Sequence, residues 1–192
     1  MDQFKRYLHN ISPIDQDAWL DFKKLLQPKE LGKHEFLIQE GSPVHHGYLL
    51  LEGVIRVFFN KDGNEYNKTF FVPGMFPTPL TALLSRSPCA LSFQALTPCR
   101  LLRFSYPQFR MLFARHRCLE TLMLSILEQE WIKKESHDIR MVTNDATTNY
   151  LIFRKTYPDL EKQIPQYHIA SYLGITPIQL SRIRNQLASK SG

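Results

Sequence analysis

The chain has 192 residues, a length that fits one compact domain or two small ones and excludes a large multidomain assembly. Apolar residues make up 43% and charged residues 22%, which is typical of a folded protein and excludes a disordered or collagen-like composition. Lysine and arginine total 24 against 18 acidic residues, giving a formal net charge of +6. This excess suits a polyanionic partner without identifying one.

The sequence predicts a cytoplasmic protein with no membrane partner. The longest uncharged stretch, residues 69–85, holds three prolines and a glycine, which interrupt the ~20-residue apolar helix that a membrane span requires. The first residues lack the apolar core of a secretory signal. The cysteines Cys89, Cys99 and Cys118 are too dispersed for a disulfide scaffold.

At the start of the chain, apolar residues recur at helical spacing between Phe4 and Leu26. Ser12 and Pro13 interrupt this pattern, because proline is disfavoured inside a helix. The segment therefore predicts two short helices.

From Leu31 to about Phe104 the pattern changes to short apolar or alternating runs separated by glycine and proline. Short strands at this spacing predict an antiparallel sandwich or barrel. Asp62 and Gly63 lie between two runs and predict a tight hairpin, because glycine tolerates the positive φ that such turns need. The runs are residues 35–39, 48–51, 54–59, 66–72, 91–95 and 100–104.

Beyond Pro107, which suits the first turn of a helix, the pattern is helical, and a long helix is predicted from about Arg117 to Met141. Its apolar residues form a band wide enough for two surfaces. One interpretation packs the whole band on the chain's own sheet. The other uses it as a two-helix dimer seam. Under either interpretation, Leu124 and Trp131 extend the band onto a second face. The candidate seam residues are Leu119, Met123, Ile126 and Leu127.

Residues 146–157 predict a further helix, and residues 163–187 have the pattern of a helix, a short turn and a second helix. Gly174 supplies the turn, and Ile175 fills the space between the helices. Thr176 is placed to cap the second helix, with Pro177 at its first position. The residues expected to face inward are Ile169, Ala170, Leu173, Leu180, Ile183 and Leu187.

The opposite face of the second helix carries amide, hydroxyl and guanidinium groups. Base edges in a DNA major groove require such donors and acceptors, and arginine pairs bidentately with guanine. No Asp or Glu occurs from Ile164 to the end of the sequence, so no acidic side chain would repel phosphates there. The alternative is an ordinary helical hairpin with a solvated polar face. The candidate DNA-binding residues are Thr176, Ile178, Gln179, Ser181, Arg182, Arg184, Asn185 and Lys190.

The predicted order of elements resembles that of the Crp/Fnr family of bacterial transcription regulators. This order is short helices, a β region interrupted by glycines, a long helix and a helix-turn-helix. The resemblance covers nearly the whole chain and rests on residues 36–41, 48–57, 71–74 and, above all, 163–187. It implies an α+β protein that is a homodimer. The implied partners are double-stranded DNA, a second copy of the chain and RNA polymerase.

The resemblance also implies a division of the chain. Residues 1–115 would form an effector or sensor domain, an antiparallel, jelly-roll-like β-roll similar to cyclic nucleotide-binding domains, with flanking short helices. Residues 116–142 would form the long dimerisation helix. Residues 143–192 would form a helix-turn-helix DNA-binding domain.

The sequence departs from the family where cyclic AMP would bind. Family members that bind this nucleotide carry a Gly-Glu pair and an Arg-Ser or Arg-Thr pair, whose positions here fall near residues 78–79 and 89–90, without the acid or the arginine. A buried phosphate without a cationic partner is costly. We therefore expect that cyclic AMP does not act in the usual manner. Arg86 is a candidate substitute for the missing arginine, although a solvated loop arginine is the simpler interpretation.

The residues around these positions are mainly apolar. They suit either an apolar effector or a filled core, and the filled core is favoured. The candidate effector-pocket residues are Phe71, Met75, Phe76, Leu80, Leu83, Arg86 and Phe93.

Other chemistry has less support in the sequence. His45 and His46 are adjacent and would point to opposite faces of a strand, unlike the His-x-His ligands of a metal-binding cupin. The cysteines are too few and too dispersed for a recognised iron–sulfur spacing. We expect no enzyme activity, no metal and no required cofactor, and the sequence does not identify an effector. The main alternative function is a ligand-binding or protein-interaction module with a vestigial helix-turn-helix.

Overall fold

The computed structural model describes residues 2–190, with side chains described for residues 4–189. The N-terminal segment forms the two short helices that its spacing predicts, α1 (Asp2–Ile11) and α2 (Gln16–Leu25). Trp19 and Phe22 on α2 are buried, which fixes α2 against the body of the protein.

Seven antiparallel strands follow within the described residues, and they form two sheets. One sheet has the order β1-β7-β3 and the other the order β2-β6-β4-β5, so β5 lies at an edge. The predicted β-roll is therefore present. The strands are β1 (Gln27–Leu31), β2 (Phe36–Ile38), β3 (His46–Glu52), β4 (Ile55–Lys61), β5 (Asn64–Phe71), β6 (Ser92–Ala95) and β7 (Cys99–Ser105).

Two glycine turns determine how these strands connect. Asp62 and Gly63 both have positive φ and join β4 to β5, which confirms the predicted hairpin. Gly53 has a φ of +92°, and a Cβ built on it would lie 2.3 Å from the carbonyl oxygen of Pro98. Only glycine allows this close approach of two backbone segments.

The sequence patterns missed β1 and the short helix α3 (Leu80–Ser85). The strand β1 contains Pro28 and is mostly polar, with Leu31 as its buried residue, so it lacks the alternation typical of a half-buried strand. It forms because β7 pairs with it along its whole length. Tertiary pairing thus overrides a weak local signal.

The rest of the chain is helical. The long helix α5 runs two residues beyond its predicted end, and α7 is a single turn that the pattern did not indicate. The elements are α4 (Tyr106–Met111), a 3₁₀ turn (Leu112–Ala114), α5 (Arg117–Thr143), α6 (Ala146–Thr156), α7 (Leu160–Gln163), α8 (Gln166–Tyr172) and α9 (Pro177–Lys190). None of the helices within residues 2–190 is long and apolar enough to cross a lipid bilayer.

Three groups of buried side chains hold these elements together. One fills the space between the two sheets, and a second packs α1, α2, α4 and the first half of α5 on the β3–β7 face. The third joins the C-terminal helices to the β-roll, with Phe70 of β5 packed edge-on against Phe153 and Tyr157. The C-terminal helices are therefore docked on the sheet of the same chain.

Candidate nucleic-acid interface

The turn between α8 and α9 is closed by backbone hydrogen bonds. Gly174 has a φ of +67° and donates its N–H to Ser171, while Ile175 donates to Ala170. These two bonds form the Schellman arrangement that satisfies the last carbonyls of a helix. Glycine at this position explains why α8 stops and the chain reverses into α9.

The start of α9 is closed by a reciprocal side-chain pair. Gln179 donates its backbone N–H to Thr176 Oγ1 at 3.2 Å, and Thr176 donates its backbone N–H to Gln179 Oε1 at 2.9 Å. This pair is a capping box, and Pro177 occupies the first helical position. The predicted cap at Thr176 is confirmed.

The inward side of α8 and α9 is apolar and packed. Ile169, Ala170, Leu173, Leu180 and Ile183 are buried in one cluster with the β-roll residues described above. Leu187 packs at its margin, half-buried. The two helices therefore keep a fixed relative orientation.

The outward side of α9 is free of protein cover. Ile178 is 65% exposed, an unusual exposure for a large aliphatic side chain on a folded domain. The side chain of Lys190 lies outside the described residues. The other candidate DNA-binding residues are all exposed: Thr176, Gln179, Ser181, Arg182, Arg184 and Asn185.

The electrostatic environment of this face is basic. The nearest acid in the sequence, Glu161, accepts a hydrogen bond from the Tyr150 hydroxyl and lies 3.6 Å from Arg154 Nε. Its charge is thus already balanced inside the C-terminal helices. Residues 164–192 contain no acid at all, so Arg182 has no acidic residue on its own helix, whereas Arg184 lines a groove together with Glu161.

A buried polar cluster joins α8 to the β-roll, and sequence reasoning missed it. Arg56 of β4 is 5% exposed. Its guanidinium contacts Gln94 Oε1 at 2.6 and 2.9 Å, Glu65 Oε2 at 2.5 Å and His168 Nδ1 at 3.3 Å. The signal in the sequence was a lone charge in the apolar run of residues 54–58.

His168 is uncharged in this cluster. Its Nδ1 lies within hydrogen-bonding distance of Arg56 Nη1 and Asn67 Nδ2, and its backbone carbonyl accepts from Asn67 Nδ2 at 3.1 Å. Burial and the neighbouring Arg56 charge lower the pKa of His168 to about 4. A neutral imidazole whose Nδ1 accepts from these donors fits that environment.

The candidate effector-pocket residues are brought together only in part, and the ring of Phe71 stacks on that of Phe93. Phe71, Phe76 and Leu80 line one apolar cavity of about 180 Å³ between the β-roll and α5. Phe93 is buried between the two sheets, and Met75 packs on the C-terminal cluster.

The other two predicted pocket residues do not line this cavity either. Leu83 is half-buried on α3, outside the cavity. Arg86 is exposed, with left-handed backbone, at the C-terminus of α3. Arg86 is thus placed as a solvated residue, away from the cavity.

The candidate dimer-seam residues pack on their own chain. Leu119 is fully buried, and Met123 and Ile126 pack against the same cluster. Leu127 lines the 180 Å³ cavity. Because Leu119 does not reach the surface, a seam would need other side chains of α5. The exposed apolar residues of α5 are Leu124, Trp131, Ile132, Ile139, Met141 and Val142.

The histidines and cysteines form no candidate metal site. Within residues 2–190, no three His, Cys, Asp or Glu side chains lie close enough to hold a metal ion. Cys89 and Cys99 are buried, and burial raises the pKa of the Cys99 thiol. That thiol is therefore a poor nucleophile in this fold.

Comparison with known proteins identifies the β-roll. Residues 28–116 match the family of the cyclic nucleotide-binding domain. No curated protein sequence matches the chain.

Solved structures extend the likeness to most of the chain. FixK2 from Bradyrhizobium japonicum matches with a TM-score of 0.74 at 18% identity, over 86% of each chain. CLP from Xanthomonas campestris, described as a c-di-GMP responsive global regulator, matches with a TM-score of 0.70 at 15% identity, over 92% of this chain and 93% of that one.

A mutant of CooA from Carboxydothermus hydrogenoformans matches with a TM-score of 0.69 at 16% identity, over 87% of this chain and 78% of that one. At these identities the likeness establishes the fold. Residues 28–116 therefore have the fold of a cyclic nucleotide-binding domain, within a chain that shares its fold with these solved structures.

Proposed function

We propose that this protein is a dimeric, sequence-specific DNA-binding transcription regulator of the Crp/Fnr type. The observation that carries the proposal is the exposed, acid-free face of α9, held rigidly by the capping box at Thr176 and by the packed inner face. In this proposal α8 and α9 form a helix-turn-helix, and α9 enters the major groove. The units are the β-roll sensor of residues 1–115, the helix of residues 116–142 and the DNA-binding part of residues 143–192.

The base-reading residues would be those with guanidinium or amide groups on the exposed face of α9. Arg182 is the first candidate, because its guanidinium is exposed and the last acid precedes it by 21 residues in the sequence. Asn185 follows on the same exposed side of the helix. Arg184 and Lys190 are assigned to phosphates, which fix the position of the protein without reading sequence.

The dimer would form through the second face of α5. Leu124 and Trp131 are seven residues apart and Trp131 and Val142 eleven, spacings that keep side chains on one side of a helix. Trp131 and Val142 are 64% and 87% exposed and border a groove along the helix. A second copy of α5 would cover this stripe and bring two α9 helices to successive half-sites.

RNA polymerase is a further proposed partner, on the strength of the family resemblance. We also propose that the protein acts in the cytoplasm, without enzyme activity and without a required cofactor.

The test is a selection of bound fragments from random DNA by the purified protein at about physiological salt. We expect a palindromic consensus with half-sites ~10 base pairs apart. Arg182→Ala should lose ~1–3 kcal/mol of affinity for that consensus. Arg100→Ala is the charge-matched control, because Arg100 is an exposed arginine of the β-roll that pairs with Glu52.

Equal losses in the two variants would show that binding is electrostatic and does not read bases. No enrichment, with or without cell extract as a source of effector, would contradict the proposal. The second candidate function, a ligand-binding or protein-interaction module with a vestigial helix-turn-helix, would then stand. The exposed stripe on α5 is the observation that favours it.

A further inference from the structure

We propose that the cavity between α5 and the β-roll is a binding site for a small, neutral, apolar molecule that carries one hydrogen-bonding group. The cavity has a volume of about 180 Å³. Apolar cavities of ~150 Å³ in proteins remain dry and take up benzene. The size therefore corresponds to one aromatic ring with a small substituent.

The walls of the cavity are almost entirely hydrocarbon. Phe22 and Phe104 come from α2 and β7, and Leu122, Ile126 and Leu127 come from two successive turns of α5. A core normally fills such a space, because unfilled volume forfeits dispersion contacts on every side. Here the surrounding side chains leave it open, which is expected of a site with an occupant.

The charge of the lining excludes anionic occupants. Among the described residues, no Lys, Arg or His side chain lines the cavity, and Glu130 is its charged group. Glu130 is exposed and pairs with Lys133 at 2.7 Å, so it lies at the margin of the cavity. A phosphate or carboxylate would enter without a cationic partner and beside a negative charge. The geometry therefore favours a neutral molecule.

Two side chains that carry hydroxyl groups, Thr78 and Tyr106, line the cavity, and their hydroxyl groups differ in hydrogen bonding. Thr78 Oγ1 accepts from the backbone N–H of Tyr48 at 2.9 Å and donates to its carbonyl at 3.2 Å. Tyr106 is 93% buried, and its hydroxyl has no hydrogen-bond partner within the described residues. A buried hydroxyl without a partner is unfavourable. An occupant with one acceptor or donor would satisfy it.

The position of the cavity connects it to the proposed regulator. One face of α5 forms its wall through Leu122 and Ile126, and the other carries the exposed stripe that begins at Leu124. Filling the cavity would shift the helix that we propose pairs two subunits. This regulatory role rests on the proposed function, whereas binding to the cavity does not.

The first experiment measures binding of phenol, benzene and benzoate to the full chain. Saturable shifts of methyl resonances in NMR spectra, together with thermal stabilisation, report occupancy. We expect phenol to bind about tenfold more tightly than benzene, and benzoate not to bind. Failure of phenol and benzene to bind at millimolar concentration would overturn the proposal, as would benzoate binding as tightly as phenol.

Variants locate the bound molecule. Tyr106→Phe should remove the preference for phenol and leave benzene binding unchanged. Leu127→Phe should fill the cavity and abolish binding of both, whereas Leu20→Phe, at an exposed position of α2 outside the cavity lining, should leave both unchanged. If Tyr106→Phe keeps the preference for phenol, the Tyr106 assignment is wrong. If Leu127→Phe folds and still binds phenol, the site is elsewhere.

A second measurement separates this proposal from the proposed function. Affinity for the selected DNA consensus is measured with and without saturating phenol. A change of threefold or more supports a regulatory role. If phenol binds without any effect on DNA affinity, the cavity is a ligand site but has no regulatory role. If the chain binds phenol but selects no DNA, only the proposed function is contradicted.

Discussion

Ser171 of α8 occupies the free edge of β5 as a missing strand would. Its hydroxyl accepts the backbone N–H of Asn67 at 2.9 Å and donates to the carbonyl of Glu65 at 3.0 Å. Because β5 is an edge strand, these two backbone groups would otherwise face solvent or another chain. The side chain of Ser171 thus fixes α8 to the sheet.

Replacing Ser171 by alanine should destabilise the protein. Both backbone groups of β5 would lose their partner at a half-buried site, so we expect a loss of about 1–3 kcal/mol in the free energy of unfolding. Urea denaturation measures this change. Ser189→Ala is the control, because the Ser189 hydroxyl lies at the exposed end of α9 and donates to Gln186. A loss within ~0.5 kcal/mol for both variants would contradict the structural role of Ser171.

Unfolding should depend on pH through His168. The pKa of His168 is lowered to about 4 in the folded chain, against ~6.5 in the unfolded one. Between these values the unfolded chain binds the additional proton, so stability is complete above pH ~6.5 and falls as the pH is lowered toward 4. The loss across this window is at most about 3 kcal/mol.

The matched variant for this prediction is His168→Asn. Asparagine offers an acceptor near the position of Nδ1 but does not titrate. The difference in unfolding free energy between the wild type and the variant should therefore change with pH only between about 4 and 6.5. A constant difference across this range would assign the pH dependence to other groups.

The turn at Gly53 should tolerate no side chain. A Cβ there would collide with the backbone of Pro98, and its φ is already left-handed, so Gly53→Ala should cost at least about 3 kcal/mol. Gly63 has a similar φ but nothing within 4 Å of a Cβ, so Gly63→Ala should cost only ~1 kcal/mol. Thermal unfolding of the two variants compares their losses of stability. It thereby distinguishes the cost of the Cβ collision at residue 53 from the cost of a positive φ alone. Equal costs would show that the roll adjusts around residue 53.

Oligomeric state tests the exposed stripe of α5. Trp131→Glu should convert a dimer to a monomer in sedimentation experiments, because a buried, unpaired carboxylate at a subunit interface is strongly unfavourable. Leu20→Glu is the control, because Leu20 is an exposed leucine on α2. Two results would show that α5 does not form the dimer interface. One is a wild-type chain that is monomeric at tens of micromolar, and the other is a Trp131→Glu variant that remains dimeric.

Cyclic AMP should not bind in the usual manner. Near the positions where relatives carry the ribose acid and the phosphate arginine, this chain has Pro79 and Cys89, and Cys89 is buried between the sheets. Calorimetry with cyclic AMP should therefore detect no binding at micromolar nucleotide. Micromolar affinity would show that another group, such as the exposed Arg86, moves to the phosphate.

The sequence patterns predicted most helices and strands of this fold, but they did not predict the contacts between elements that lie far apart in the sequence. Apolar periodicity identified the long helix and the strands near Leu49 and Val57, because each has a period that local sequence records. It did not identify the pairing of β1 with β7, whose partner residues lie about 70 positions apart in the sequence. Nor did it identify the cluster of Arg56 and His168, which are 112 positions apart.

The candidate site shows the same division. The cap at Thr176 and the turn at Gly174 follow from short-range chemistry and were predictable. Whether Leu119 faces inward or outward depends on where the sheet lies, which periodicity alone does not determine. Local rules therefore located the α8–α9 surface, whereas the exposed stripe of α5 and the cavity could be located only from the tertiary structure.

If α9 binds DNA as we propose, the capping box at its start limits the base contacts that Gln179 can make. Its Oε1 already accepts from the backbone N–H and the hydroxyl of Thr176, so only its amide N–H groups remain to contact a base. Glutamine needs both its oxygen and its nitrogen for the paired contact with adenine. In a DNA complex that keeps this cap, Gln179 would donate to an acceptor such as guanine O6 or thymine O4, and a paired contact with adenine would fall to Asn185.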